Sequence, residues 1–326
     1  MHAYRIPATG AGAELTEIAV PEPGPGQIRV DIRACGLNFA DLLIQNGTYQ
    51  DIPPAPFTLG MEPAGIVNAV GESAPESARF PGAPLAVGDR VAVFCGHGGL
   101  AEQGVFDAAR AIRLPDAMSF EHAAAFQIAH GTSHLALAHR ARLQAGETLL
   151  VTGAAGGVGL SAVEIGKLMG ARVIAHARGA EKLAVARAAG ADHLIDANED
   201  LRARMLELGG ADVVYDAVGG GVFKAAFRAC NPEARLLSIG FASGEVPQIP
   251  ANHLMVKNLS VLGVYFGGYM NFRPDVVRDS LNTLIGWYLD GRLHPHISHT
   301  LPLSRVAEGM ELLRRRKSTG KVVIVP

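Results

Sequence analysis

From about residue 148 to residue 264 the chain alternates short apolar runs with stretches of helical period, and no other feature constrains its fold as strongly. Strand-like runs lie at 148 to 152, 172 to 176, 192 to 195, 211 to 216, 234 to 239 and 259 to 264; helix-like stretches lie at 157 to 169, 180 to 189, 199 to 208 and 221 to 229. Strands joined through helices run parallel, so an α/β architecture with a doubly wound parallel sheet is predicted. The first turn is the most telling. Leu149-Leu150-Val151-Thr152 breaks into Gly153-Ala154-Ala155-Gly156-Gly157 and resumes as Val158-Gly159-Leu160. This is how a strand hands a dinucleotide pyrophosphate to a helix N-terminus: glycines admit the phosphate, and free amides with the helix dipole attract it. The pattern is A-x-G-x-x-G from Ala154, and Ala155, Gly156, Gly157 and Val158 are the expected binding turn.

The flanks have another texture. Residues 1 to about 120 are rich in Gly and Pro and carry strand-like runs such as Ile28–Ile32, Gly65–Val70 and Arg90–Phe94, with a surface loop expected from Glu72 to Pro84. Ser119-Phe120-Glu121-His122 resembles an N-cap opening an alanine-rich helix through Ala138. After about Phe266 come a helix at 275 to 289, a strand near 297 to 301, a helix from Ser304 and a final strand Lys321–Val325. The expected organisation is a mostly β domain of residues 1–120 and 266–326, interrupted by a nucleotide domain of residues 121–265, with a cleft between the lobes.

Bulk properties exclude several classes. With 29 basic and 31 acidic residues among 326 and a net charge of −2, the chain has no electrostatic footprint for nucleic acid or an anionic membrane. The N-terminus lacks a charged segment followed by an apolar one, and no apolar run reaches about 18 residues. Cys35, Cys95 and Cys230 lie far apart and are odd in number, which argues against a disulfide framework and for a reducing cytoplasm.

Nine segments in order resemble the medium-chain dehydrogenase/reductase superfamily, and within it the zinc-independent NADPH:quinone oxidoreductase (zeta-crystallin-like) branch. Besides the glycine turn they are Cys35–Asp41, Gly47–Tyr49, Leu59–Gly65, Gly88–Val91, Gly190–His193, Tyr215–Gly220, Lys257–Asn258 and Thr319–Val322. The resemblance covers nearly the whole chain and implies a GroES-like, mostly β catalytic domain beside a Rossmann domain.

It also frames the question of a metal. Alcohol dehydrogenases of this superfamily hold a catalytic zinc with a cysteine, a histidine and a second cysteine or acid; the corresponding positions here are Asn38 and Met61, the latter just before Glu62. An amide and a thioether suit zinc poorly, and the cluster of four cysteines for a structural zinc is missing, so no metal is expected. Cys95-Gly96-His97 and the group His294, His296 and His299 lack a spaced partner set.

For the cofactor, an NAD-specific sheet ends its second strand in an acid. Here Arg172–His176 is followed by Ala177, then Arg178 and, a turn on, Lys182. Cations there suit a 2′-phosphate, so NADPH is expected. A tyrosine that the family often places after the third strand is absent, with Ala197 near that point, so the preference over NADH is expected to be modest.

By resemblance, Asn38, Asp41 and Tyr49 face the nicotinamide from the first lobe. Thr132, Ile239, Phe241, Phe266 and Lys321 are likewise placed on the cofactor. Asn38 has both a donor and an acceptor and would hold a substrate carbonyl, the alternative being a turn amide. Asp41 is a candidate acid or an N-cap. Tyr49 suits a hydrogen-bond donor or a pocket floor. The expected function is metal-free, NADPH-dependent reduction of a small-molecule acceptor, a quinone, by hydride or electron transfer from the nicotinamide in the cleft between the lobes. An enone or 2-enoyl-thioester reductase is the alternative enzyme, and a low-turnover NADPH-binding redox sensor the alternative of another class. The run Leu259–Phe266 is expected to end the nucleotide sheet, and its unpaired edge suggests a homodimer.

Overall fold

The computed structural model describes residues 1–72 and 84–326, so the loop expected from Glu72 to Pro84 falls almost wholly outside the described residues. The chain divides into two compact units, Met1–Ile128 with Pro295–Pro326, and Ala129–His294.

The first unit opens with β1 (His2–Ile6), β2 (Glu14–Glu17), β3 (Gln27–Leu37), α1 (Phe39–Gln45), β4 (Phe57–Thr58), β5 (Glu62–Val70), β6 (Arg90–Val93), β7 (Gln103–Asp107), β8 (Ala111–Arg113) and α2 (Phe120–His134). The backbone amide of His122 donates to Ser119 Oγ at 3.1 Å, so the cap read from the sequence starts α2. Beyond His134 the helix widens to a π-type turn over Leu135–Arg140.

The second unit runs through β9 (Thr148–Thr152), α3 (Gly157–Leu168), β10 (Arg172–Ala177), α4 (Gly179–Ala188), β11 (His193–Asp196), α5 (Leu201–Glu207), β12 (Ala211–Asp216), α6 (Gly220–Arg228) and β13 (Cys230–Ser238). It continues with α7 (Ala251–Lys257), β14 (Ser260–Gly263), α8 (Phe266–Phe272) and α9 (Pro274–Leu289). The chain then returns to the first unit with β15 (Ile297–Pro302), α10 (Val306–Arg314) and β16 (Lys321–Val325).

The second unit's six strands are all parallel, in the order β11-β10-β9-β12-β13-β14. Helices cover such a sheet on both faces, which is why every residue of β9 is buried. Leu150, Ile174, Val214, Leu236 and Phe223 form part of its core.

The seven-stranded sheet of the first unit runs β15-β16-β3-β5-β6-β8, with β7 also on β3. Its core gathers Ile28, Val30, Ile32, Val67, Val91, Val93 and Phe106. A separate three-stranded sheet has the order β2-β1-β4.

Boundaries expected after residues 120 and 265 differ from these units, because α2 continues through the first division and α8 and α9 pack within the second unit. There Val277, Leu281 and Leu284 of α9 are buried, His134 Nδ1 lies 2.7 Å from Ser280 Oγ, and Trp287 meets the His134 ring edge-on at 5.4 Å. The helices α7 and α8 were not expected from the sequence: they are short, and α8 carries two glycines.

Candidate functional site

In the first unit, strand register places the polar residues. In two antiparallel pairings of the seven-stranded sheet, Val322 of β16 pairs with Leu37 of β3, and Gly36 of β3 pairs with Glu62 of β5. Lys321 therefore arrives opposite Asn38, with Glu62 alongside. Their side chains close a buried ring: Lys321 Nζ donates to Asn38 Oδ1 at 2.8 Å and pairs with Glu62 Oε1, while Asn38 Nδ2 donates to Glu62 Oε1 at 2.8 Å. Glu62 Oε2 accepts the Ile128 amide at 2.9 Å. Exposure is 4% for Lys321, 0% for Glu62 and Asp41 and 9% for Asn38, so the network is almost fully desolvated.

Asn38 also caps α1: Asp41 Oδ2 accepts the Asn38 amide at 2.8 Å, and the Asp41 amide donates to the Asn38 backbone oxygen at 3.0 Å. Asp41 Oδ1 is buried and has no hydrogen-bond partner. Burial pushes the Asp41 carboxyl up to about 7; the Asn38 amide and the Lys321 ammonium pull it back, and Glu62 pushes it further. Two thiols face the same carboxyl, Cys35 and Cys95, and burial holds both well above the usual thiol range.

The donor expected of Asn38 is already used inside the unit, since Nδ2 gives its second proton to Gly36 O at 3.3 Å. Lys321, placed on the cofactor by resemblance, directs its ammonium into this ring. Tyr49 is half-buried in the turn after α1.

In the second unit, the glycine turn sits between β9 and α3 as its sequence implies. Gly153 has φ +64°, the conformation that permits the tight turn, so this residue rather than Ala154 supplies the first bend. A Cβ on Gly159 would lie 2.2 Å from Gly153 O, whereas one on Gly156 would meet only that oxygen, at 3.4 Å. The third glycine thus serves close packing and the exposed Gly156 leaves room for a ligand. No side chain caps α3; its first bond inside the helix is Leu160 N–H to Gly156 O, at 2.7 Å. The amides of Gly157, Val158 and Gly159 precede that bond, which is the arrangement a pyrophosphate needs.

Arg178 stands exposed as the N-cap of α4, after buried Ala177, and Lys182 follows on that helix, half-buried. Thr132 is buried in α2, Ile239 is half-buried, Phe241 exposed and Phe266 buried at the start of α8. The turn after β13 is pinned to the end of β12: Ala242 N–H and Ser243 N–H donate to Ala217 O at 3.1 Å and Val218 O at 2.8 Å.

The family model for the alcohol dehydrogenase GroES-like domain matches residues 24–116, and that for zinc-binding dehydrogenases matches residues 157–281. A quinone oxidoreductase-like protein 2 homolog of Nematostella vectensis is 41% identical over 308 residues, covering 92% of this chain and 82% of its own. This chain is a quinone oxidoreductase-like member of the medium-chain dehydrogenase/reductase superfamily. The quinone oxidoreductase of Pseudomonas aeruginosa is 36% identical over 96% of this chain and 95% of its own. The crystal structure of Escherichia coli quinone oxidoreductase complexed with NADPH superposes with TM-score 0.89 at 28% identity, covering 100% of both chains.

For a member of this superfamily, the residues at the zinc positions do not fit the metal. Met61 is a buried thioether, Asn38 is an amide bound to an ammonium, and both Glu62 oxygens are committed to Lys321, Asn38 and Ile128. Among the described residues no group of three or more His, Cys, Asp or Glu is placed to hold a metal ion. No helix among them is long and apolar enough to cross a membrane.

Several residues that brace the turns of the second unit are not candidates from the sequence. Ser133 Oγ donates to Val158 O at 2.9 Å and meets the hydroxyls of Ser161 and Tyr215, each at 2.9 Å, which steadies the first turn of α3. Asp216, at the end of β12, accepts Thr152 Oγ1 and, at 2.9 Å, the Gly219 amide. Asp196 of β11 accepts the Gly179 amide at 2.8 Å, on the turn that carries Arg178. The sequence signal for Asp216 and Tyr215 was the segment Tyr215–Gly220; Ser133, Ser161 and Asp196 gave none.

Proposed function

We propose that this chain is an NADPH-dependent quinone reductase that works without a metal. The observation that carries the reading is the uncapped amide cradle of α3 next to a second strand that ends in Ala177 and Arg178 rather than in an acid. Gly157 and Val158 would hold the pyrophosphate, and Arg178 with Lys182 the 2′-phosphate. Asp196 brings a carboxylate to the same turn, so the preference over NADH is modest. Bound NADPH supplies hydride from the nicotinamide to the acceptor.

The acceptor also gains a proton, and Asp41 is the chain's own group suited to hold it, with an unpartnered buried oxygen and a proton kept to near neutrality. Asn38 would hold the hydroxyl of the reduced acceptor through its amide oxygen, and Tyr49 would position the acceptor through its ring or hydroxyl. Three free thiols accord with a reducing cytoplasm. Pairing of two copies through β14 fits the sheet, since among the described residues that strand pairs only with β13. A monomer by light scattering at micromolar concentration would reject the dimer.

A panel of quinones, enones and enoyl thioesters with NADPH and NADH, followed by nicotinamide absorbance, tests the activity. Quinones with NADPH should be the best pair. Faster turnover of alkenals or crotonyl thioesters would replace this reading with an enone reductase, and tight NADPH binding without oxidation by any acceptor would replace it with a binding protein.

A further inference from the structure

We propose that Lys321 and Glu62 form a buried ionic clamp, acting as positioning residues that hold Asn38 in one amide orientation and, through it, the Asp41 carboxyl that the Asn38 backbone amide binds, for the reduction step. The inference rests on the reading that Asn38 and Asp41 serve the acceptor.

The orientation follows from donor and acceptor inventories. An ammonium only donates and an ionised carboxylate only accepts, so the Asn38 atom beside Lys321 is Oδ1 and the atom beside Glu62 is Nδ2. A flipped amide would point its NH2 at Lys321 and its oxygen at Glu62. With both Nδ2 protons bound to Glu62 and Gly36 O, Asn38 offers a ligand only an oxygen lone pair. The group it recognises must then carry O–H or N–H, as the hydroxyl of a reduced quinone does.

Asp41 lies between two opposed influences, the cation favouring its ionised form and the anion its protonated form. The other titratable groups facing it are the thiols of Cys35 on β3 and Cys95 after β6, and burial keeps both protonated. Stability alone is a weak reason for such an ion pair, because well-packed apolar residues in its place are often no less stable. The fold also keeps space for it: a Cβ on Gly36 would stand 2.8 Å from Glu62 Oε1.

The test uses the full chain and the variants Lys321→Met, Glu62→Gln and the apolar double variant Lys321→Met/Glu62→Leu. Asp41 is titrated by carbon-13 carboxyl NMR, its signal assigned by loss in Asp41→Asn. Lys321→Met should raise the Asp41 midpoint and Glu62→Gln lower it, each by about one pH unit. In both, kcat with a quinone should fall about tenfold or more while KM for NADPH stays within about twofold. The double variant should melt near the wild type yet remain slow.

Midpoints that stay put, or that move the same way in both single variants, overturn the clamp. So does a double variant that regains wild-type kcat, since the pair would then be structural only. A wild-type protein that reduces no quinone defeats the functional reading, while the Asp41 titration still decides this one.

Discussion

In the first unit Asn38, Asp41, Glu62 and Lys321 are at most 9% exposed and bind one another, whereas the nucleotide turn of the second unit offers bare amides, with Arg178 at the surface. One site is made from side chains brought together by strand register, the other from backbone shaped by local glycines. A side-chain network in low dielectric is sensitive to each of its charges, while a backbone cradle is sensitive to volume.

Two crowded glycines give the largest expected effects. A methyl on Gly159 would meet Gly153 O at 2.2 Å, and one on Gly36 would meet Ala124 O at 2.1 Å. Overpacking costs about 1–3 kcal/mol, so Gly159→Ala should weaken NADPH binding about ten- to a hundredfold by calorimetric titration. Gly36→Ala should instead lower quinone turnover by a similar factor, with Kd for NADPH within about twofold. Equal damage to binding by both variants would break the contrast.

Next in size is Arg178→Asp. A hydrogen bond to a charged group contributes about 1.5–3 kcal/mol, so kcat/KM with NADPH should drop about ten- to a hundredfold, and with NADH by less than about threefold. An unchanged NADPH efficiency would move the 2′-phosphate site away from this turn.

The units also respond to pH with opposite sign. Asp41 is raised from 3.8 to about 7 in the folded chain, which therefore keeps a proton that the unfolded chain has released. Its contribution is full below the unfolded value and is lost as pH rises through about 7. Asp41→Asn should gain melting temperature relative to the wild type between about pH 5 and about pH 8. His134, in the second unit, is lowered by burial from 6.5 to about 4, so its contribution is present above 6.5 and is lost as pH falls towards about 4. His134→Gln should show a smaller loss of melting temperature on acidification, and this is the smallest effect of the set. A common sign for the two variants would remove the distinction between the units.

How much was legible in the sequence follows the same division. The alternating runs gave the parallel sheet, and Gly156 and Gly159 gave the turn, because both signals lie within a few residues of what they determine. Neither Glu62 nor Lys321 announced the other: they stand 259 positions apart, and only the pairing of β16 with β3 and of β3 with β5 joins them. Ser133 and Ser161 were silent likewise, their hydroxyls meeting each other and that of Tyr215 across three separate elements. For Asn38 the sequence leaves open a substrate-carbonyl holder and a turn amide bonded to backbone; the bond to Gly36 O is local, whereas the one to Glu62 comes from another strand.

That register has a consequence for how the molecule comes into being. β16 follows the whole nucleotide unit in sequence, so a ribosome must complete the parallel sheet before the strand carrying Lys321 exists to be paired. Until then the chain carries Glu62 and Asp41 without the lysine that the finished fold sets beside them. The order of synthesis puts the parallel-sheet unit first and closes the buried ring of the first unit last.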